Sequence, residues 1–138
     1  MQQQTSSAVL NSFWNSRFPG QNDANLAIAE QLAGAVIDLE GEQLSVPLGH
    51  TDTDNTTCLH VPSIGLVVAG DAAYNDVRVY LAESNADTRK GWILALDTIE
   101  SLKPGTVVAG HKGPGRSDTP SVVGETRQYI RDFDQDRC

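Results

Sequence analysis

Apolar positions along the chain change their spacing several times, and each change marks an element. Near the start, Val9, Leu10, Phe13 and Trp14 recur at helical spacing behind Ser6 or Ser7, either of which can cap the first free N–H groups. This predicts a short helix to about Arg17, stopped by Phe18-Pro19-Gly20. Between Gln21 and Gly34, Leu26, Ile28 and Leu32 fit a second helix or a packed loop. The runs 35–39 and 43–48 then predict a hairpin turning through Glu40-Gly41-Glu42. A second hairpin is predicted from 56–61 and 64–69, turning at Pro62-Ser63. Its last strand is apolar on both faces: Ile64, Leu66 and Val68 on one, Val67 and Ala69 on the other. That pattern predicts burial on both sides.

Residues 71–83, with Tyr74 among them, read as a loop. Trp92, Ile93, Leu96, Ile99 and Leu102 form the stripe of a helix over about 86–102. Ser84 or Asn85 can cap it, and Lys103-Pro104-Gly105 ends it. Residues 106–109 read as a short buried strand and 111–118 as a Gly/Pro-rich loop. Thr119 caps a last helix with Pro120 at its first position and Val123, Ile130 and Phe133 on its inner face. The order of elements defines a single α/β domain, with a helical segment at 1–34 and a sheet-and-helix core at 35–138.

Length and charge narrow the class. The 138 residues suffice for one domain with a core. A net charge of -8 excludes nucleic acid and anionic membrane surfaces as partners, since both require a basic face. No apolar run is long enough to span a bilayer, and Met1-Gln2-Gln3-Gln4 does not open a secretory signal. Cys58 and Cys138 do not form a disulfide framework, which sets the expectation of a cytoplasmic protein.

The candidate chemistry lies in three segments. Gly49-His50-Thr51 leads into a strand, Leu66-Val67-Val68-Ala69-Gly70-Asp71 closes one, and Val107-Val108-Ala109-Gly110-His111 closes another. His50, Asp71 and His111 thus each stand beside a glycine at or near a strand end, where side chains of metal-ligand type can converge. Taken singly, each has a plainer reading. His50 is then a solvated loop histidine, and Asp71 a turn cap. His60 is a hydrogen-bonded structural histidine, Lys112 an exposed lysine or a contact for a substrate carboxylate, and Asp52 and Asp54 turn residues.

Taken together and in order, Gly49-His50-Thr51, Cys58-Leu59-His60-Val61-Pro62, Ala69-Gly70-Asp71 and Ala109-Gly110-His111 resemble the later half of the metallo-β-lactamase-fold hydrolases. The resemblance runs from about Val36 over nearly the whole remainder. It implies half of an αββα sandwich: one mixed sheet of about five strands, with helices on one face. It also implies that His50 binds a first zinc, Asp71 bridges two metals and His111 binds the second.

The family's His-x-His-x-Asp-His motif has no counterpart in these 138 residues, which hold three histidines and no His-x-His pair. The resemblance therefore implies a truncated or vestigial protein with an incomplete dinuclear site, zinc weakly bound or absent, and no catalysis by the chain alone. The other reading is a fragment of a zinc-dependent hydrolase of lactams, lactones, esters or thioesters, active only with the missing half. An apolar sheet face without a cover predicts a homodimer, unless the helix carrying Phe13 and Trp14 folds over it.

Overall fold

A computed structural model describes residues 7–22, 34–45, 48–49, 51–53 and 56–136. The chain forms two compact units, residues 1–34 and 35–138. In the first, the expected helix runs as α1 (Ser7–Val9), a π-helical stretch (Leu10–Trp14) and α2 (Asn15–Arg17). It is held by its own aromatic residues. Phe13 meets Trp14 edge-on at 5.0 Å, Trp14 stacks on Phe18 at 6.3 Å, and the Arg17 guanidinium lies 3.7 Å over the Phe13 ring. The ambiguous stretch containing Leu26, Ile28 and Leu32 lies outside the described residues.

The second unit is built on a five-stranded mixed sheet of order β1-β2-β5-β6-β7. β1 (Val36–Leu39) and β2 (Glu42–Ser45) are antiparallel. The turn between them is Glu40-Gly41 alone, both at positive φ (54° and 86°), as a tight two-residue hairpin demands; Glu42 already pairs with Leu39. β3 (Leu48–Gly49) does not prolong β2 as expected. It pairs instead with β4 (Thr56–Thr57) in a separate two-stranded sheet.

The second hairpin joins β5 (Leu59–Val61) to β6 (Leu66–Asn75). Pro62 fixes its φ and starts a 3-10 turn, Pro62–Ile64, closed by Gly65 at φ 60°. Ile64 therefore leaves the strand it was expected to join and is 68% exposed.

β6 is longer than the sequence suggests. It runs through Asp71 to Asn75, and Ala72, Ala73, Tyr74 and Asn75 are all buried where a loop was expected. A crossover helix, α3 (Ala86–Ser101), returns the chain to β7 (Thr106–Lys112), which lies parallel to β6. α3 begins with a reciprocal cap. The Asn85 side chain accepts from the N–H groups of Asp87 and Thr88 (2.9 and 3.0 Å), and the Thr88 hydroxyl accepts from Asn85 N–H (2.8 Å).

α4 (Ser121–Gln135) starts differently from expectation: its N-cap is Pro120 and lacks a side-chain cap bond. The Thr119 hydroxyl instead shares a 2.8 Å hydrogen bond with that of Ser121.

Both long helices pack on one face of the sheet. Trp92, Leu96 and Ile99 of α3 and Val122, Val123 and Ile130 of α4 are buried with Val67, Ala69, Val107 and Ala109 of the central strands. Two polar bonds fasten the layers: Trp92 Nε1 donates to Ala72 O (2.9 Å), and Thr126 Oγ1 accepts from Tyr74 N–H (3.0 Å). By register, Ile37, Leu44, Leu59, Val61, Leu66, Val68 and Val108 share the opposite face. None of these is fully buried. The fold is thus a helix layer on a mixed sheet, with an apolar sheet face opposite the helices. Among the described residues no helix is long and apolar enough to cross a membrane.

Candidate metal centre

The site forms where β6 and β7 lose their regular pairing. Val67 opposes Val107 and Val68 opposes Val108, but Gly70 opposes Ala109 and Tyr74 opposes His111. β6 therefore spends Asp71, Ala72 and Ala73 where β7 spends only Gly110. Such a bulge bends the strand and re-aims its side chains. Gly70, at φ 54°, takes a backbone conformation that a side chain would strain. Gly110 is required for a different reason. A Cβ there would lie 2.4 Å from Asp71 Oδ1 and 2.7 Å from the Gly70 carbonyl carbon.

The consequence is that Asp71 and His111 converge. Asp71 Oδ1 lies 3.2 Å from His111 Nε2, and both side chains are about half exposed (49% and 53%). The Tyr74 ring stacks on the His111 imidazole at 4.8 Å between centroids and 19° between planes. Its hydroxyl donates to Asp52 Oδ2 at 3.4 Å.

Asp52 lies in a bend, as the Thr-Asp-Thr-Asp run suggests, yet is only 5% exposed. Its other oxygen accepts from the Thr51 hydroxyl (3.1 Å), which also bonds Thr56 Oγ1 (2.6 Å). Burial pushes the Asp52 carboxyl above its ordinary value, and the nearby Asp71 charge adds to the rise. Burial, then the Asp52 and Asp71 charges, also raise the Tyr74 phenol.

His50 lies outside the described residues, but its neighbours Thr51 and Asp52 belong to this cluster. Lys112 directs its ammonium to Asp118 (2.8 Å). His60 shares the helix-facing side of the sheet with Val67, its antiparallel partner. Tyr74 also borders an open cleft of about 520 Å³ that holds Arg78, Glu125 and Tyr129.

An imidazole nitrogen and a carboxylate oxygen 3.2 Å apart are donor types that zinc takes. They supply two ligands; among the described residues no group of three His, Cys, Asp or Glu converges. The pair fits as part of a metal centre. Sequence reasoning missed Tyr74 and Asp52. The available signal for Tyr74 was the continuous apolar run through Ala72 and Ala73 after Gly70-Asp71.

The family model described as the metallo-beta-lactamase superfamily matches residues 7–111, and the chain belongs to that superfamily. Among solved structures it resembles a metallo-beta-lactamase family protein from Thermus thermophilus. That match has 21% identity and a TM-score of 0.61, covering 78% of this chain and 36% of the other. It also resembles a metallo-beta-lactamase from Pontibacter korlensis, at 24% identity and a TM-score of 0.55, covering 72% and 47%. TMB-1 matches at 18% identity with a TM-score of 0.57, covering 94% of this chain and 56% of that one. These likenesses show the fold, and the chain spans roughly a third to a little over half of each matched structure. No curated protein matches the chain.

Proposed function

We propose that these 138 residues carry one half of a dinuclear zinc hydrolase site and do not hydrolyse substrate by themselves. His50, Asp71 and His111 are the residual ligands in this reading, and Lys112 contacts substrate by exchanging the Asp118 carboxylate for the substrate's. The observation that carries it is the approach of Asp71 Oδ1 to His111 Nε2 at a bulge where Tyr74 also bonds Asp52, two residues after His50.

When bound, zinc would supply a water of lowered pKa as nucleophile. The protein's own contribution is to hold a carboxylate and an imidazole half-exposed beside a buried Tyr-Asp pair. A catalytic zinc needs about three protein ligands in tetrahedral array. Zinc is therefore held weakly, in a cytoplasmic protein that pairs with a second copy through the sheet face carrying Leu44, Leu59, Val61, Leu66, Val68 and Val108.

The fraction of each matched structure that the chain spans favours a second reading: activity returns when a chain bearing His-x-His-x-Asp-His supplies the rest. Hydrolysis assays on lactam, lactone, ester and thioester substrates, with zinc and with or without such a chain, test both. Zinc-dependent turnover by these residues alone, lost in His111→Ala, overturns the first reading. Light scattering at micromolar concentration tests the pairing, and a soluble monomer refutes it.

A further inference from the structure

We propose that Tyr74 is a positioning residue for His111: its ring face fixes the plane of the imidazole so that Nε2 is presented beside Asp71. This rests on the metal-centre reading above and adds a residue to it. Three observations converge.

First, the bulge makes Tyr74 the direct cross-strand partner of His111, and the two rings lie nearly parallel at 4.8 Å and 19°. A histidine whose side chain is 53% exposed would otherwise turn about its terminal torsion, which is broad.

Second, Tyr74 itself is anchored. It is 4% exposed, and its N–H donates to Thr126 Oγ1 at 3.0 Å. The Thr126 hydroxyl lies 3.1 Å from the Tyr74 carbonyl, and the ring packs against Trp92 at 6.1 Å. The helices thus anchor the tyrosine, and the tyrosine orients a residue at the open edge of the site.

Third, the hydroxyl reaches Asp52, so the ring is held at its far end as well. Outer-shell partners of this kind set the orientation of ligating histidines.

The test compares Tyr74→Phe, which keeps the ring face and loses the hydroxyl, with Tyr74→Leu, which loses the face. Tyr74→Met serves in its place should the leucine variant fail to fold. His111 ring signals are followed by NMR, first without metal and then during zinc titration.

In the wild type and Tyr74→Phe, the His111 ring protons keep the displacement that a stacked aromatic face causes, and one nitrogen tautomer persists. In Tyr74→Leu the displacement disappears, the ring signals average, and zinc affinity falls by about 10- to 100-fold. Ile99→Val, which trims the same core but leaves every Tyr74 contact named above intact, leaves the His111 signals in place.

Unchanged His111 signals in Tyr74→Leu or Tyr74→Met overturn the proposal. If the signals respond as expected but zinc perturbs none of them in any variant, the positioning role stands and the metal-centre reading falls.

Discussion

Replacing Gly110 with alanine should break the site and loosen the sheet together. The added Cβ would lie 2.4 Å from Asp71 Oδ1, 2.7 Å from Gly70 C and 2.8 Å from Gly70 O, whereas real Cβ atoms essentially never come within 3.0 Å of such neighbours. The Asp71 carboxylate could swing aside, but only by leaving His111. The Gly70 backbone is not a free side-chain end, so β6 and β7 must separate by at least about 0.3 Å, the difference between 3.0 and 2.7 Å. Both strands carry fully buried side chains, Val67 and Val107, packed under α3 and α4. Overpacking of this kind costs about 1–3 kcal/mol, a substantial part of the roughly 5–15 kcal/mol by which a domain is stable.

Gly124 provides the control. It lies inside α4, and a Cβ added there would meet nothing within 4 Å, so Gly124→Ala should stabilise by about 0.5–1 kcal/mol through helix propensity. Urea denaturation followed by tryptophan fluorescence and far-ultraviolet circular dichroism reads both variants. Gly110→Ala should shift the midpoint down with an unchanged slope, and Gly124→Ala should shift it up. A Gly110→Ala midpoint equal to wild type would refute the close approach of the strands and, with it, the geometry of the site.

Thr126→Val keeps the shape of the side chain but removes the acceptor for Tyr74 N–H, so it should cost about 1–3 kcal/mol in the same denaturation assay. Trp92→Phe leaves Ala72 O without its donor and opens space in the core; a loss of about 2–3 kcal/mol is expected, and a loss under about 0.5 kcal/mol would contradict the packing described. Burial raises the Cys58 thiol above its ordinary 9.0. The folded state therefore binds the proton more tightly: its stability is intact below pH 9 and falls as the pH rises above it. Denaturation of Cys58→Ala should show a shallower alkaline decline than wild type. In a Cys138→Ser background, a thiol reagent should label Cys58 only on unfolding.

Much of this architecture was legible in the sequence because it obeys simple periods. The stripe from Trp92 to Leu102, the Asn85 cap and the Pro104-Gly105 stop define α3 to within a residue. Apolar runs located the cores of β5, β6 and β7, although the expected strand 56–61 is split between β4 and β5, and β7 runs on through His111 and Lys112 where a loop was expected. What escaped was everything that depends on the bulge. Past Gly70 the two-residue period fails because β6 gains residues relative to β7, so Ala72 to Asn75 are buried consecutively and do not look like a strand. Asp52 does lie in a bend, as a Thr-Asp-Thr-Asp run suggests, but its burial escaped because the Tyr74 hydroxyl that reaches it is distant in sequence. Thr126 escaped for a similar reason. A threonine on an inner helical face has no visible purpose until the strand N–H it satisfies is in place. Asp71 and His111 were singled out, with His50, from strand-end glycines and the family resemblance; His50 lies outside the described residues. The physical cause is now visible at Gly110, where a side chain would occupy the space that the Asp71 carboxylate and Gly70 backbone fill.

Zinc stoichiometry and affinity, measured by calorimetry on the 138-residue chain and on His111→Ala and Asp71→Asn, test the central claim most directly. The account predicts no more than one weakly held ion per chain, with binding lost in His111→Ala and weakened in Asp71→Asn. Two tightly bound zinc ions per chain, or binding indifferent to His111, would contradict it.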